Sequence, residues 1–263
     1  MAQGSRFSAQ RSGLPPEPEP ASRVRISRLS SIEADGKEAI ALTRQARLLH
    51  RDVGWSRPMW AQPGDDIVVL VHGLFATAGV LRPLREHIEN ECGAHTASFT
   101  HPPGPGIRSL AEQLRELVLG LPPETRIYLV GHSIGGLVVR WFVQELGGDP
   151  RVVYSISIAS PFSGTRHARF FPAPIGRDIV PGSALLDRLA EGAQAGLGVP
   201  HLSIWADCDR VVPSGAYLTA GERHSVAGSG HNGVLYRRDV AQAIVQRIRL
   251  VQAAAEVRDT RAW

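Results

Sequence analysis

Leu129-Val130-Gly131-His132-Ser133-Ile134-Gly135-Gly136 is the stretch on which the reading of this chain turns. Before it, Ile127 to Val130 is an apolar run of strand length, and after it Leu137, Val138 and Trp141 open a helical spacing. The serine of a Gly-x-Ser-x-Gly sequence therefore falls on a sharp strand-to-helix turn. A serine hydroxyl is a poor nucleophile at neutral pH and needs exposure, an adjacent base and donors for the oxyanion its attack creates. Such a turn lifts the Ser133 oxygen clear of the sheet, tolerates strain through its glycines and leaves the Ile134 amide free at a helix N-terminus.

Outward from this turn, strands and helices alternate. Upstream, Ile67 to Val71 is a continuous β-branched run suited to a strand buried on both faces, and it ends in His72-Gly73-Leu74-Phe75. A helix is expected from about Val80 to Glu91, a short strand over His95 to Phe99, then a loop over Pro102 to Gly106. Ile107, Leu110, Ala111, Leu114, Leu117 and Val118 next recur at amphipathic-helix spacing. Downstream come a helix over Gly135 to Glu145, a strand over Val152 to Ile158 and an irregular segment from Ser160 to Pro181. A helix at Ser183 to Leu189, strands at His201 to Trp205 and His224 to Val226, and a final helix at Asp239 to Val251 complete the series. This alternation predicts an α/β fold with a mostly parallel sheet of about six strands and helices on both faces. Reacting groups in such sheets gather at the carboxyl edge of the strands.

The remaining N-terminal sequence is organised differently. Residues 1–30 are polar and rich in Pro and Glu, and a disordered tail is expected there. Residues 31–263 are then one domain with its core at about 65–252. Ile32 to Leu49 suggests a helix docked on the domain edge through Ile40, Leu42, Leu48 and Leu49, and Trp55 to Pro63 an extended connector.

Composition narrows the function classes. The hydrophobic share is 43%, enough for a core, with no apolar run long enough to span a bilayer. The net charge of +4 comes from arginines scattered along the chain, without the clustered basic stripe of a nucleic-acid surface. No nucleic-acid partner is expected. The basic first helix allows at most a transient membrane-surface contact, and its narrow apolar stripe favours packing. Cys92 and Cys208 stand alone, outside any Cys-x-x-Cys pair, and are expected to be free thiols. With no apolar signal segment visible, a cytoplasmic location is expected. His87, Cys92 and His95 lack the spacing of a zinc site, so neither metal nor cofactor is expected.

If Ser133 is a nucleophile, its base and acid belong on later carboxyl-edge loops. Ser203-Ile204-Trp205 runs into Ala206-Asp207-Cys208-Asp209-Arg210-Val211-Val212-Pro213, which offers two carboxylates. Gly228-Ser229-Gly230-His231-Asn232-Gly233 sets a histidine in a loop before the last helix. With these residues the chain resembles the α/β-hydrolase family, in particular bacterial lipases and esterases of the triacylglycerol-lipase type. The resemblance runs from about Ile67 to Val251. It rests on Val-Leu-Val-His-Gly at 69–73, Gly-His-Ser-Ile-Gly-Gly at 131–136, Asp-Arg-Val-Val-Pro at 209–213 and Gly-His-Asn-Gly-Val-Leu-Tyr at 230–236, all in family order. Ser160-Pro161-Phe162-Ser163-Gly164-Thr165 looks like a further family element. The resemblance implies Ser133 as nucleophile, His231 as base, Asp209 in preference to Asp207 as acid, and the Leu74 and Ile134 amides as oxyanion hole. Asp207 is expected to tie down its own loop, His72 to shape the oxyanion loop and His132 to pack or hydrogen-bond. Phe75, Phe162, Phe170 and Phe171 are candidate acyl contacts.

Rival readings are weaker. Gly228 to Gly233 satisfies Gly-x-Gly-x-x-Gly, but no strand follows to complete a dinucleotide-binding unit. Gly131 to Gly136 has phosphate-loop spacing but continues as Leu137-Val138 where Lys-Ser/Thr is required. The expected function is a carboxylic-ester hydrolase acting on an apolar acyl ester. An acyltransferase, a thioesterase, an amidase or a non-catalytic binding protein of the same fold are its alternatives.

Overall fold

The computed structural model describes residues 28–260 apart from Pro172 and Ser214, with side chains from Glu33 to Val257. Its helices are α1 (Arg28–Leu48), α2 (Arg82–Cys92), α3 (Ile107–Leu119), α4 (Ile134–Glu145), α5 (Ile175–Asp178), α6 (Ala184–Ala195) and α7 (Arg238–Thr260). Its strands are β1 (Trp55–Ser56), β2 (Asp66–Val71), β3 (His95–Phe99), β4 (Arg126–His132), β5 (Val152–Ile158), β6 (His201–Ala206) and β7 (Glu222–Val226). They form one seven-stranded sheet in the order β1-β3-β2-β4-β5-β6-β7. Every neighbouring pair is parallel except β1 with β3.

The expected sheet of about six strands is thus extended by β1, inside the stretch read as a connector. Trp55 pairs with Phe99 and Ser56 with Ser98, and the Trp55 and Phe99 rings lie 5.7 Å apart. Two residues are too few to show a strand period; it is the open edge of β3 that recruits them.

The continuous apolar run of β2 has a direct physical reason. Ile67, Val69 and Val71 face one core, with α3, α4 and α6, while Val68 and Leu70 face another, with α2 and α7. Because successive side chains alternate sides, both sets must be apolar when both faces are covered. All six β2 residues are buried.

The first helix corrects the expectation drawn from its apolar residues. Ile40 is 70% and Leu42 51% exposed, and Leu49 is exposed as well. The inward face is Ala34, Glu38, Ala41, Gln45 and Leu48, at four- and three-residue steps, with Ala34 and Ala41 buried. Small residues let the end of the helix and the turn after it approach closely: a Cβ at Gly79 would run into the Leu48 carbonyl oxygen and meet that of Arg51 at 2.6 Å. The helix begins at Arg28, so the last three residues of the expected tail belong to it; the rest of that tail lies outside the described residues.

Candidate active site

β4 ends at His132 and α4 begins at Ile134, leaving Ser133 alone at the turn with φ 55° and ψ −123°. Neighbouring backbone forces this tight geometry. A Cβ at Gly131 would run into the backbone of Gly135 and Gly136, and one at Gly135 into the carbonyl of Val71. The strained serine is held by its amide, which donates to the Ile158 carbonyl at 2.8 Å.

The loops after β6 and β7 bring two further groups to it. Ser133 Oγ lies 3.0 Å from His231 Nε2, and His231 Nδ1 lies 2.7 Å from Asp209 Oδ2. Asp209 Oδ1 accepts from the amides of Val211 and Val212, both at 2.8 Å. Burial works against the Asp209 charge, but hydrogen bonds from His231, Val212 and Val211 outweigh it and hold the carboxyl below its ordinary range. An ionised Asp209 accepts the Nδ1 proton, and the Nε2 lone pair is left facing the serine. Asp207 is oriented elsewhere: its Oδ1 accepts from Gly228 N at 2.7 Å. It therefore joins its loop to the histidine loop, where bonds to its own loop were expected.

The loop after β2 closes the other side. A Cβ at Gly73 would stand 3.0 Å from Ser133 Cβ, so only glycine lets this loop approach the serine unhindered. His72 Nε2 accepts from the His101 amide at 3.1 Å, which leaves Nδ1 to donate to the Gly73 carbonyl at 2.7 Å. The two rings stack 3.9 Å apart. Leu74 follows at the cavity wall, which is also lined by Ile134, whose amide at the first position of α4 has no acceptor within its helix.

Together these residues enclose a cavity of about 290 Å³. Leu74, Phe75, Ile134, Phe171, Ile179 and Val212 supply much of its wall, with Ser133 and His231 among the polar groups; among the described residues no Asp, Glu, Lys or Arg side chain lines it. Of the four candidate aromatics, Phe75 and Phe171 reach the cavity, their rings 6.1 Å apart. Phe162 and Phe170 do not. Phe162, 7% exposed, packs edge-on to His201 in the core, and Phe170, 69% exposed, lies under the Arg169 guanidinium. An apolar loop sequence does not reveal which residues turn inward. Among the unanticipated wall residues are Leu42 and Gln45 of α1. Their signal was hidden because α1 packs through alanines and polar groups.

A second serine–histidine contact lies deeper. His201 meets Ser155 Oγ at 2.9 Å and Ser157 Oγ at 3.1 Å. Its charged neighbour is the fully buried Arg140, which donates to Ser155 Oγ and the Leu197 carbonyl, so this group lacks both a carboxylate and access to the cavity. It is structural packing between β5, β6 and α4. Among the described residues no group of three or more His, Cys, Asp or Glu is arranged to hold a metal ion, and no helix is long and apolar enough to cross a membrane.

The buried histidines couple the site to acid stability. Burial pushes His72 and His132 down to about 3; for His132 the nearby His231 adds to the effect. Unfolded, each would bind its proton near pH ~6.5. Between these values the unfolded chain holds more protons, so stability is full above pH ~6.5 and falls with acidification, by about 1.4 kcal/mol per pH unit for each histidine. Melting followed by circular dichroism is expected to drop by on the order of 10 °C between about pH 7 and pH 5. A flat profile would contradict neutral burial.

Comparisons with known proteins agree with this architecture. Residues 61–182 match the family described as "Putative serine esterase (DUF676)". No curated protein matches the chain. Among solved structures, Aspergillus fumigatus lipase B is similar with TM-score 0.58 and 19% identity, over 72% of this chain and 54% of that one. Est1E from Butyrivibrio proteoclasticus gives 0.55 and 17%, over 76% and 93%. The monoacylglycerol lipase of Paleococcus ferrophilus gives 0.54 and 15%, over 72% and 96%. At such identities the likeness is one of fold. The chain thus has the α/β-hydrolase fold, and its residues 61–182 are similar to the family described as putative serine esterases.

Proposed function

We propose that the protein is a serine carboxylic-ester hydrolase acting on neutral esters with an apolar acyl chain. The observation that carries this reading is the unbroken relay from Ser133 Oγ through His231 to Asp209, at the wall of a cavity lined, among the described residues, by no Asp, Glu, Lys or Arg. His231 Nε2 takes the hydroxyl proton as Ser133 Oγ attacks the acyl carbon, and Asp209 stabilises the resulting imidazolium. The Ile134 and Leu74 amides receive the oxyanion. His231 then returns the proton to the departing alkoxide, and an acyl-enzyme remains. Water, deprotonated by the same nitrogen, attacks that ester; the carboxylic acid leaves and Ser133 regains its proton.

Wild type and Ser133→Ala are compared on p-nitrophenyl esters from acetate to palmitate. Chain-length-dependent turnover by wild type alone supports the reading; equal turnover by both, or none by either, counts against it. Transfer to an added alcohol in preference to water would mark an acyltransferase.

The apolar wall should also set chain length. Ile179 is buried and lines the cavity. Ile179→Ala is expected to move the preferred acyl chain longer by two or three carbons, each extra methylene raising kcat/KM about fourfold at roughly 0.8 kcal/mol. The cavity it creates costs about 2–5 kcal/mol of stability. An unchanged ester profile would remove Ile179 from the acyl-binding wall.

A further inference from the structure

Helix α1 lies outside residues 61–182, the part that matches the esterase family, yet it is attached to both loops that complete the site. Asp35 Oδ2 accepts from Arg210 Nη2 at 2.6 Å, next to Asp209. That pair is exposed, and such pairs contribute little. The attachment beside His231 is of another kind. Glu38 Oε1 accepts from the Asn232 amide at 2.9 Å and from Asn232 Nδ2 at 2.8 Å, while Oε2 accepts from the Gly233 amide at 2.8 Å. Two turns further along α1, Gln45 Nε2 donates to Asn232 Oδ1 at 2.9 Å.

Glu38 also presses on the residue before the histidine. A Cβ at Gly230 would lie 2.5 Å from Glu38 Oε2 and 2.9 Å from its carboxyl carbon. Residues 230, 232 and 233 thus all meet one carboxylate. From the opposite side the His231 carbonyl accepts from His132 Nε2 at 3.0 Å, so the backbone of the base is gripped between β4 and α1. The Asn232 and Gly233 amides sit at the start of the turn Gly233–Tyr236, where backbone donors lack local acceptors. A carboxylate satisfies them with charge-assisted bonds, which are stronger and shorter than neutral ones.

We propose that Glu38 is a positioning residue for His231: through Asn232 and Gly233 it sets the height of the imidazole over Ser133. This rests on the reading of His231 as the base. A carboxylate is needed because all three groups it meets are donors. Glutamine keeps one acceptor oxygen but turns an NH2 toward an N–H, so the loop must shift. Displacement of a catalytic group by about 1 Å costs on the order of 10²-fold in rate.

The test is steady-state hydrolysis of p-nitrophenyl butyrate by wild type, Glu38→Gln, Gly230→Ala, Ser133→Ala and the Glu38→Gln/His231→Ala double variant, each checked for a cooperative melt. Glu38→Gln is expected to lower kcat about 10- to 100-fold with KM changed less than about twofold. His231→Ala is measured alongside them, and against it the added Glu38→Gln in the double variant should cause no further loss, because the group it positions is gone. Gly230→Ala displaces the carboxylate without removing it and should give the same kcat-specific defect to a smaller degree; it decides the matter if Glu38→Gln does not fold. Wild-type kcat in Glu38→Gln or, failing its folding, in Gly230→Ala, or an equal fold-loss with and without His231, overturns the proposal. Undiminished turnover by Ser133→Ala would instead overturn the esterase reading, so the two failures are told apart.

Discussion

Ser133→Ala is expected to lower kcat by about 10⁶ on an activated ester, because removing the attacking atom leaves only binding and oxyanion stabilisation. The fold should not change. The hydroxyl's hydrogen-bond partner is His231, and alanine occupies the same strained backbone without new bulk. His231→Ala should cost nearly as much, and the double variant hardly more than either single one, since the nucleophile and its base act as a unit. Stopped-flow release of p-nitrophenol checks this directly. A loss below about tenfold, or losses that multiply, would mean that acylation does not run through Ser133.

For Asp209→Asn a fall of about 10⁴ in kcat is expected, with little change in stability. The asparagine oxygen can still accept from the Val211 and Val212 amides, so the loop keeps its anchors. What changes is the proton on the imidazole. An amide NH2 facing His231 Nδ1 donates where the carboxylate accepted, which drives the proton to Nε2 and points it at the serine oxygen. Such a histidine cannot take the hydroxyl proton. Asp207→Asn is the control: Asp207 Oδ1 accepts from Gly228 N, an acceptor role asparagine can fill, and a change of only a few-fold is expected. A reversed order of the two effects would exchange their roles.

Much of this molecule is legible locally. The double-sided apolar run of β2, the strand-turn-helix around Ser133 and the regular spacing of α3 follow from periodicity and glycine placement within a dozen residues. The illegible parts depend on partners far along the chain. β1 exists because β3 has an open edge, and α1 packs through alanines, Glu38, Gln45 and Leu48 while Ile40 faces outward and Leu42, half exposed, reaches the cavity rim. In the segment after β5, hydrophobic character alone did not separate Phe171, which reaches the cavity, from Phe162 in the core and Phe170 on the surface.

The sequence by itself determined the alternating α/β architecture, the turn that presents Ser133 and the order in which carboxylate and histidine loops follow, because each is written in short-range pattern. Only the tertiary structure decided which of Asp207 and Asp209 reaches His231, which aromatics wall the cavity and that Glu38 grips the histidine loop. Those outcomes depend on atoms from 22 to 194 residues apart meeting in space, as Asp209 and His231 or Glu38 and Asn232 do, and no local pattern records such a meeting.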